Sequence, residues 1–282
     1  MRISAKTKFI VIIGDPVDHS LSPAMHNAAY EYLGIEDQFV YLGSNVKNTD
    51  VNKVITSMRI MENFCGLTCT IPHKVEVMKY LDWIDPVAKK IGAVNTVVKD
   101  GRILKGYNTD WLGVIIPLEK MTKIKDKKIA ILGAGGAARA VVYSLKLRDA
   151  KITIFNRTLI NAQKLANEFH CNFSDLNNQK SLKNQDIIIN ATSVGMKPLD
   201  NKTPILAEHL KAGQIVFDIV YVPFETQLLK EAKKRKARVI HGFEILLHQG
   251  TAQFELYTGH KAPTEIMKKV LLNELIIQNK KL

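Results

Sequence analysis

A glycine-rich turn between two apolar runs constrains this chain more than any other stretch. Residues 127–158 read KKIAILGAGGAARAVVYSLKLRDAKITIFNRT. The apolar run 129–132 ends in Gly133-Ala134-Gly135-Gly136, and a helical pattern follows from about Ala137 to Leu147. A second apolar run, 152–155, stops at Asn156-Arg157-Thr158. Strand, turn, helix and strand make one βαβ unit. Gly133 permits the tight turn, and Gly135 lets backbone approach a pyrophosphate. The helix dipole and the free N–H groups at the helix start favour phosphate charge there. Gly136 stands where G-x-G-x-x-G has a variable residue, and Arg139 adds a basic side chain near the helix start. A lone G-x-G says little; the flanking strands and helix are the context the motif requires.

The end of the second strand selects the dinucleotide. An NAD site usually places Asp or Glu about 20 residues beyond the glycines, on the ribose 2′-OH. Asn156, Arg157 and Thr158 stand here instead. An arginine attracts a 2′-phosphate and a carboxylate repels it, so NADP is expected over NAD. Asn156 or Thr158 as a helix cap beside a solvated Arg157 is the plainer alternative, and capping is compatible with phosphate binding.

At 282 residues the chain has room for two domains. Hydrophobic residues at 46% and charged residues at 24% describe a soluble globular protein. No apolar run approaches the ~18 residues of a membrane span. The opening MRISAKTKFIVIIGD has a short apolar run interrupted by Gly14-Asp15 and reads as a first strand, not a signal peptide. Cys65, Cys69 and Cys171 form no C-x-x-C pair and read as free thiols of a cytoplasmic protein without a metal site. The net charge of +13 raises the question of nucleic acid. Its densest run, Lys233-Lys234-Arg235-Lys236, follows Leu228, Leu229 and Ala232 at helical spacing and reads as the wet face of a helix. No aromatic residue interleaves with it, which argues against a nucleic-acid partner. A positive field suits an anionic substrate and a phosphorylated cofactor.

In chain order, 9–13 is a buried strand running into Gly14-Asp-Pro-Val-Asp-His-Ser20-Leu-Ser22-Pro23. A helix follows with Ser22 as N-cap and a face through Met25, Ala29 and Leu33. Ser20 and Ser22 thus sit at the carboxyl end of a strand, where two hydroxyls can bind a carboxylate or serve only as loop and cap. A strand at 38–42 and a helix at 51–58 come next. Thr70-Ile-Pro72-His-Lys74 is a strand end and a proline-fixed turn, with Lys74 expected at the start of a helix, where the dipole repels it. Such mismatches mark functional sites, and also ordinary solvated lysines.

Residues 92–98 read as a strand broken at Asn95, and Asp100-Gly101 as a hairpin. Asp110 precedes a helix from Trp111 to about Leu118, as cap or as site carboxylate. The lysine-rich 117–127 reads as the passage into the nucleotide domain. Further strands are expected at 186–190, 215–219 and 239–240, with helices at 160–169, 243–257 and 264–278. Alternating strands and helices predict an α/β fold with largely parallel sheets.

The ordered motifs carry a resemblance. They are Ser20-Leu-Ser22-Pro23 with His26-Asn27, Thr70-Ile-Pro72-His-Lys74, Gly92-Ala-Val-Asn95-Thr96 and Asn108-Thr109-Asp110; then Gly133-Ala-Gly-Gly-Ala-Ala-Arg139, Asn156-Arg-Thr158, Asn190-Ala-Thr-Ser-Val-Gly-Met196, and Gln249 after Gly242. Over residues 9–259 this resembles the shikimate dehydrogenase family. The resemblance implies a substrate domain, 1–112 with 247–282, and a Rossmann-like NADP-binding domain, 113–246, with the active site in the cleft between them. It implies reversible hydride transfer between NADPH and 3-dehydroshikimate, giving shikimate, in a cytoplasmic monomer or homodimer that needs no metal. Lys74 is then the acid/base, paired with Asp110. Ser20, Ser22 and Tyr221 bind the carboxylate, and Thr70, Asn95, Asp110 and Gln249 hold the ring hydroxyls. NADP lies on Gly133, Ala134, Gly135, Gly136 and Ala137 and on Asn156, Arg157 and Thr158, with Ile219 and Gly242 at the nicotinamide.

Three positions depart from the family pattern: Thr68 where Asn is usual, Asn161 where a base often follows Asn-Arg-Thr, and His248 beside Gln249. Two rival readings follow from the same residues. An NAD-dependent quinate/shikimate enzyme is disfavoured by the missing carboxylate at 156–158. A non-catalytic NADP-binding regulator is disfavoured by the presence of both Lys74 and Asp110.

Overall fold

The computed structural model describes residues 3–280. The chain divides into two units, Met1–Thr109 with Leu247–Glu274, and Asp110–Leu246 with Leu275–Leu282. The sequence reading sets the first division at 113 and gives the whole tail from 247 to the first domain; here the division falls at Asp110, and the tail from Leu275 groups with the second unit.

The first unit holds β1 (Lys8–Gly14), α1 (Ser22–Tyr32), β2 (Phe39–Asn45), α2 (Val51–Ile60), β3 (Phe64–Cys69), β4 (Trp83–Ile84), α3 (Pro86–Ile91), β5 (Thr96–Asp100) and β6 (Ile103–Tyr107). Its six strands lie in the order β2-β1-β3-β5-β6-β4. β1 is parallel to both neighbours, whereas β3–β5 and β5–β6 are antiparallel, so this sheet is mixed. Residues alternate across its faces as strand geometry requires. In β3, Leu67 and Cys69 enter a core with Ile55 and Met58 of α2. Thr68, between them, points the other way.

The second unit begins with α4 (Asp110–Met121), followed by β7 (Lys128–Leu132), α5 (Gly136–Lys146), β8 (Lys151–Asn156), α6 (Leu159–Phe169), β9 (Asn172–Asp175), β10 (Ile187–Asn190), β11 (Ile215–Asp218), α7 (Gln227–Lys234) and β12 (Arg238–Ile240). α8 (Phe243–Thr258) and α9 (Thr264–Lys280) complete the chain. The strand order is β12-β11-β10-β7-β8-β9, with every pair parallel. Renumbered from β7, this is the doubly wound order 3-2-1-4-5-6, and it reverses between β7 and β10. Strands buried on both faces need continuous apolar runs, which Ile187, Ile188 and Ile189 supply at 0% exposure. Leu228, Leu229 and Ala232 bury one side of α7 and leave its lysines exposed, as the periodicity predicts.

Four local expectations need correction. Ser22 is the first helical residue of α1, not its cap; Leu21 holds the cap position and no side chain caps the helix. Lys74 lies in a turn before a short 3-10 helix, Glu76–Tyr80, so no α-helix dipole opposes it. α4 continues through Pro117 to Met121, and the passage between elements shrinks to 122–127. Gly92 is not in a strand: it closes α3 with φ 72°, and its N–H bonds the Ala88 and Lys89 carbonyls. α3 carries a sequence signature of its own: Asp85 accepts from the Val87 N–H at 2.8 Å, and Pro86 starts the helix.

The Gly92 assignment is testable. In a left-handed C-cap, Gly92→Ala should cost about 1–2 kcal/mol in urea unfolding, because a Cβ opposes positive φ. In a strand the same change would be neutral or stabilising.

Candidate active site

In the second unit, β7 delivers the glycine turn to the carboxyl edge of the sheet. Gly133 has φ 105°, and a Cβ there would come within 2.9 Å of the Thr192 methyl and 3.1 Å of the Ala191 carbonyl. Only glycine fits that conformation and space. Gly135 and Gly136 differ: nothing lies within 4 Å of a Cβ at either position. Gly135 holds the cap position of α5, and no side chain caps that helix. Uncapped N–H groups at the end of a helix, beside open space, form an anion cradle of the kind a pyrophosphate fills.

At the end of β8, the Asn156 amide donates to the Thr158 carbonyl at 2.9 Å. Thr158 holds the cap position of α6 without a side-chain cap bond. Neither side chain caps the helix, so the capping half of the plainer alternative is not what the structure shows. Arg157 is exposed between them. Arg139 pairs with Glu168 and lies over the Phe169 ring. After β11, the Ile219 N–H donates to the Asn190 carbonyl at 3.1 Å. A Cβ at Gly242 would come within 2.2 Å of the Val220 carbonyl oxygen, so that residue packs directly on this segment. Tyr221 is half-buried, and desolvation pushes its phenol up to about 12.

In the first unit, the loop after β1 is fixed by Asn45, whose side chain accepts from the Val17 N–H at 2.6 Å and donates to Asp18 at 2.7 Å. Ser20 follows, and its hydroxyl accepts from the Ser22 N–H at 3.3 Å. Two of the three expected carboxylate ligands, Ser20 and Ser22, are therefore adjacent. Thr70 closes on the same loop: its N–H donates to the Ile13 carbonyl at 2.9 Å, and its methyl would meet a Cβ on Gly14 at 2.6 Å. Lys74 is half-buried, with its carbonyl accepting from the Val94 N–H at 2.8 Å. Its charge partly offsets the burial that pushes the Cys69 thiol up to about 12.

Asn95 is a hub. Its oxygen accepts from the Thr109 N–H at 2.9 Å and the Thr96 hydroxyl at 2.7 Å; its amide donates to the Thr109 hydroxyl at 3.0 Å and to Gln249 at 3.4 Å. The structure thus joins Asn95 and Gln249, two of the expected ring-hydroxyl ligands. Gln253 supports them from one turn further along α8, donating to Thr96 at 2.9 Å. Gln253 is not among the residues expected from the sequence, although its spacing of four from Gln249 places both on one helix face. Asp110, next to the Asn95-bound Thr109, opens α4 and is buried. Among the described residues, no three His, Cys, Asp or Glu side chains gather as a metal site.

Three family models match the chain: the shikimate dehydrogenase substrate-binding domain over 12–97, shikimate/quinate 5-dehydrogenase over 117–225, and the shikimate 5′-dehydrogenase C-terminal domain over 242–272. The chain belongs to the shikimate dehydrogenase family. Among similar relatives, the NADP+ shikimate dehydrogenase of Methanocaldococcus jannaschii is 44% identical, covering 97% of this chain and 99% of its own. That of Nitrosopumilus maritimus is 42% identical, covering 94% and 98%. A shikimate dehydrogenase crystallised with NADP+ superposes with a TM-score of 0.92 at 43% identity, over 97% of this chain and 98% of that one. The Thermus thermophilus enzyme in complex with NADP(H) and shikimate gives 0.87 at 33% identity, over 95% and 99%.

Against the shikimate dehydrogenase pattern, Thr68 now has an account. Its hydroxyl accepts from the Tyr41 phenol at 2.6 Å and shares a hydrogen bond with the Tyr257 phenol at 2.8 Å. The group at 68 is committed inside the protein. Nothing in the sequence announces Tyr41 or Tyr257 as its partners. His26 of the Ser-Pro motif stacks on Tyr41, with centroids 4.4 Å apart and rings 13° from parallel. Among the described residues neither of its buried nitrogens has a hydrogen-bond partner, and burial holds its pKa down to about 3.

His26 is therefore neutral in the fold, whereas in the unfolded chain it gains a proton below about pH 6.5. Its contribution is intact above that pH and is lost as pH falls towards 3, by about 1.4 kcal/mol per pH unit. The difference in unfolding free energy between the wild type and His26→Phe, measured from pH 7 to 4, should carry that slope. A pH-independent difference would show that His26 takes up its proton in the fold as readily as in the unfolded chain, and would contradict a buried neutral ring.

Proposed function

We propose that this chain catalyses the reversible NADP-dependent reduction of 3-dehydroshikimate to shikimate, with the first unit holding the substrate and the second the cofactor. The observation that best supports this reading is the open glycine cradle at Gly135-Gly136 on a 3-2-1-4-5-6 sheet, followed by Arg157 where an NAD site has a carboxylate. The motif residues of the substrate half accompany it in a chain similar to NADP+ shikimate dehydrogenases along almost its whole length.

When bound, NADPH supplies the hydride. The N–H groups from Gly133 to Ala137 hold the pyrophosphate, and Arg157, between Asn156 and Thr158, holds the 2′-phosphate. With Asn161 following, Arg157 is the principal cation for that phosphate. Ile219 and Gly242 shape the nicotinamide end. Ser20 and Ser22 donate hydroxyls to the substrate carboxylate, with Tyr221. Thr70, Asn95, Asp110 and Gln249 hold the ring hydroxyls through side chains of fixed orientation. As the C3 carbonyl is reduced, its oxygen gains negative charge and needs a proton. Lys74 delivers that proton as an ammonium and accepts it in the reverse direction, with Asp110 as its partner. Both electrons come with the hydride and the second hydrogen comes from Lys74, so the step balances. The positive net charge favours the anionic substrate and cofactor without a nucleic-acid partner. The enzyme works in the cytoplasm, as a monomer or homodimer.

Lys74→Ala tests the assignment. Turnover should fall by roughly 10²–10⁴-fold, the usual worth of a positioned proton donor, while NADP+ affinity stays within about twofold. Wild-type turnover in the variant would remove Lys74 from the chemistry. A joint loss of turnover and NADP+ affinity would make it a cofactor ligand instead.

A further inference from the structure

The second unit contains a buried carboxylate that none of the roles above uses. Asp218, the last residue of β11, is 0% exposed, and among the described residues no cation pairs with it. It pairs in register with Asn190, the last residue of β10, which is also 0% exposed. Both sit at the carboxyl ends of parallel strands, the edge at which doubly wound sheets bind ligands. Three donors converge on the carboxylate: the Asn190 amide at 2.8 Å, the Val220 N–H at 3.1 Å and the Thr226 hydroxyl at 2.6 Å.

Burying an anion without a cation is costly, and here desolvation raises the carboxyl to about 6 despite the three donors. A core position needs no such group for packing. What the carboxylate does is reach two loops at once. Through Asn190 it acts on the loop after β10: the Asn190 oxygen accepts from the Thr192 N–H at 3.1 Å and hydroxyl at 2.6 Å, and its amide also donates to the Val194 carbonyl at 3.0 Å. The Thr192 methyl and the Ala191 carbonyl are the atoms that a Cβ at Gly133 would meet, so this loop walls the glycine turn. Through the Val220 N–H it fixes the segment that follows β11, whose Val220 carbonyl packs on Gly242. One carboxylate thereby ties the wall of the glycine turn to the segment carrying Ile219.

We propose that Asp218 is a positioning residue for the dinucleotide, holding the Thr192 loop and the Ile219–Val220 segment in the shape that accepts the cofactor. The inference rests on the NADP reading above. It assigns Asp218 no contact with substrate and no part in proton transfer.

The test compares the wild type with Asp218→Ala, Asp218→Asn and Thr226→Val, using calorimetric titration with NADP+, KM for shikimate, and thermal melts followed by circular dichroism. Losing hydrogen bonds to a charged group at both loops should weaken NADP+ binding by about tenfold or more in Asp218→Ala, while KM for shikimate moves by less than about twofold. Asp218→Asn keeps an oxygen for Asn190 and Val220, so it should restore NADP+ affinity to within about threefold of wild type. A folded Asp218→Ala protein that binds NADP+ normally would overturn the proposal. So would equal losses in NADP+ affinity and shikimate KM, because a core residue with only a structural role predicts no such split. If Asp218→Ala fails to fold, Thr226→Val decides: about threefold weaker NADP+ binding with an unchanged shikimate KM supports the proposal, and unchanged NADP+ binding overturns it. A wild-type protein that does not bind NADP+ would sink the cofactor reading itself, an outcome distinct from normal binding in the variants.

Discussion

The structure of the nucleotide half depends on one pairing, the parallel register of β7 with β10 that sets Leu132 against Asn190. At that pair the strand order reverses, and the chain leaving each strand turns to a different side. Gly133 follows Leu132 directly and can take its turn only because it lacks a Cβ. Ala191 and Thr192 follow Asn190 and occupy the space that Gly133 leaves. The tight turn at Gly133 is thus a consequence of topology, and that glycine is what the topology demands of the sequence.

Much of this was legible in the sequence because parallel strands and their turns are local, strongly patterned objects. The run Ile129–Leu132, the glycines and the isoleucines of β10 allow one reading each. The misreadings arise where a residue's meaning depends on its neighbours in space. Gly92 looks like part of an apolar run, yet it terminates a helix whose start, Asp85-Pro86, lies outside that run. Lys74 follows a proline turn that resembles a helix start, but that turn leads into a 3-10 helix of five residues. β9, at the sheet edge, carries the sequence Asn172-Phe-Ser-Asp175, too polar to stand out by periodicity.

The candidate site shows the same division. Ser20, Ser22, Asn95 and Gln249 stand out in the sequence because they lie in motifs that resemble those of the family in order; type and spacing alone leave Ser20 and Ser22 readable as loop and cap residues. Their supporting partners do not stand out. Tyr41 and Tyr257 meet Thr68 from positions 27 and 189 residues away, and single-sequence patterns do not reach that far. Buried polar groups of this kind, with His26 and Asp218, carry real costs in a low-dielectric interior. Where such costs are retained beside a glycine turn or a motif serine, the geometry those groups impose is the physical reason to keep them.

The account's central claim concerns which pair of molecules this chain brings together. Its most direct test is a matrix of initial rates for the purified protein, with shikimate or quinate as the alcohol and NADP+ or NAD+ as the acceptor. The account predicts the highest kcat/KM for shikimate with NADP+, about tenfold or more above NAD+, the usual worth of one arginine–phosphate contact. A folded protein that oxidises quinate with NAD+ faster than shikimate with NADP+, or that oxidises neither alcohol, would contradict it.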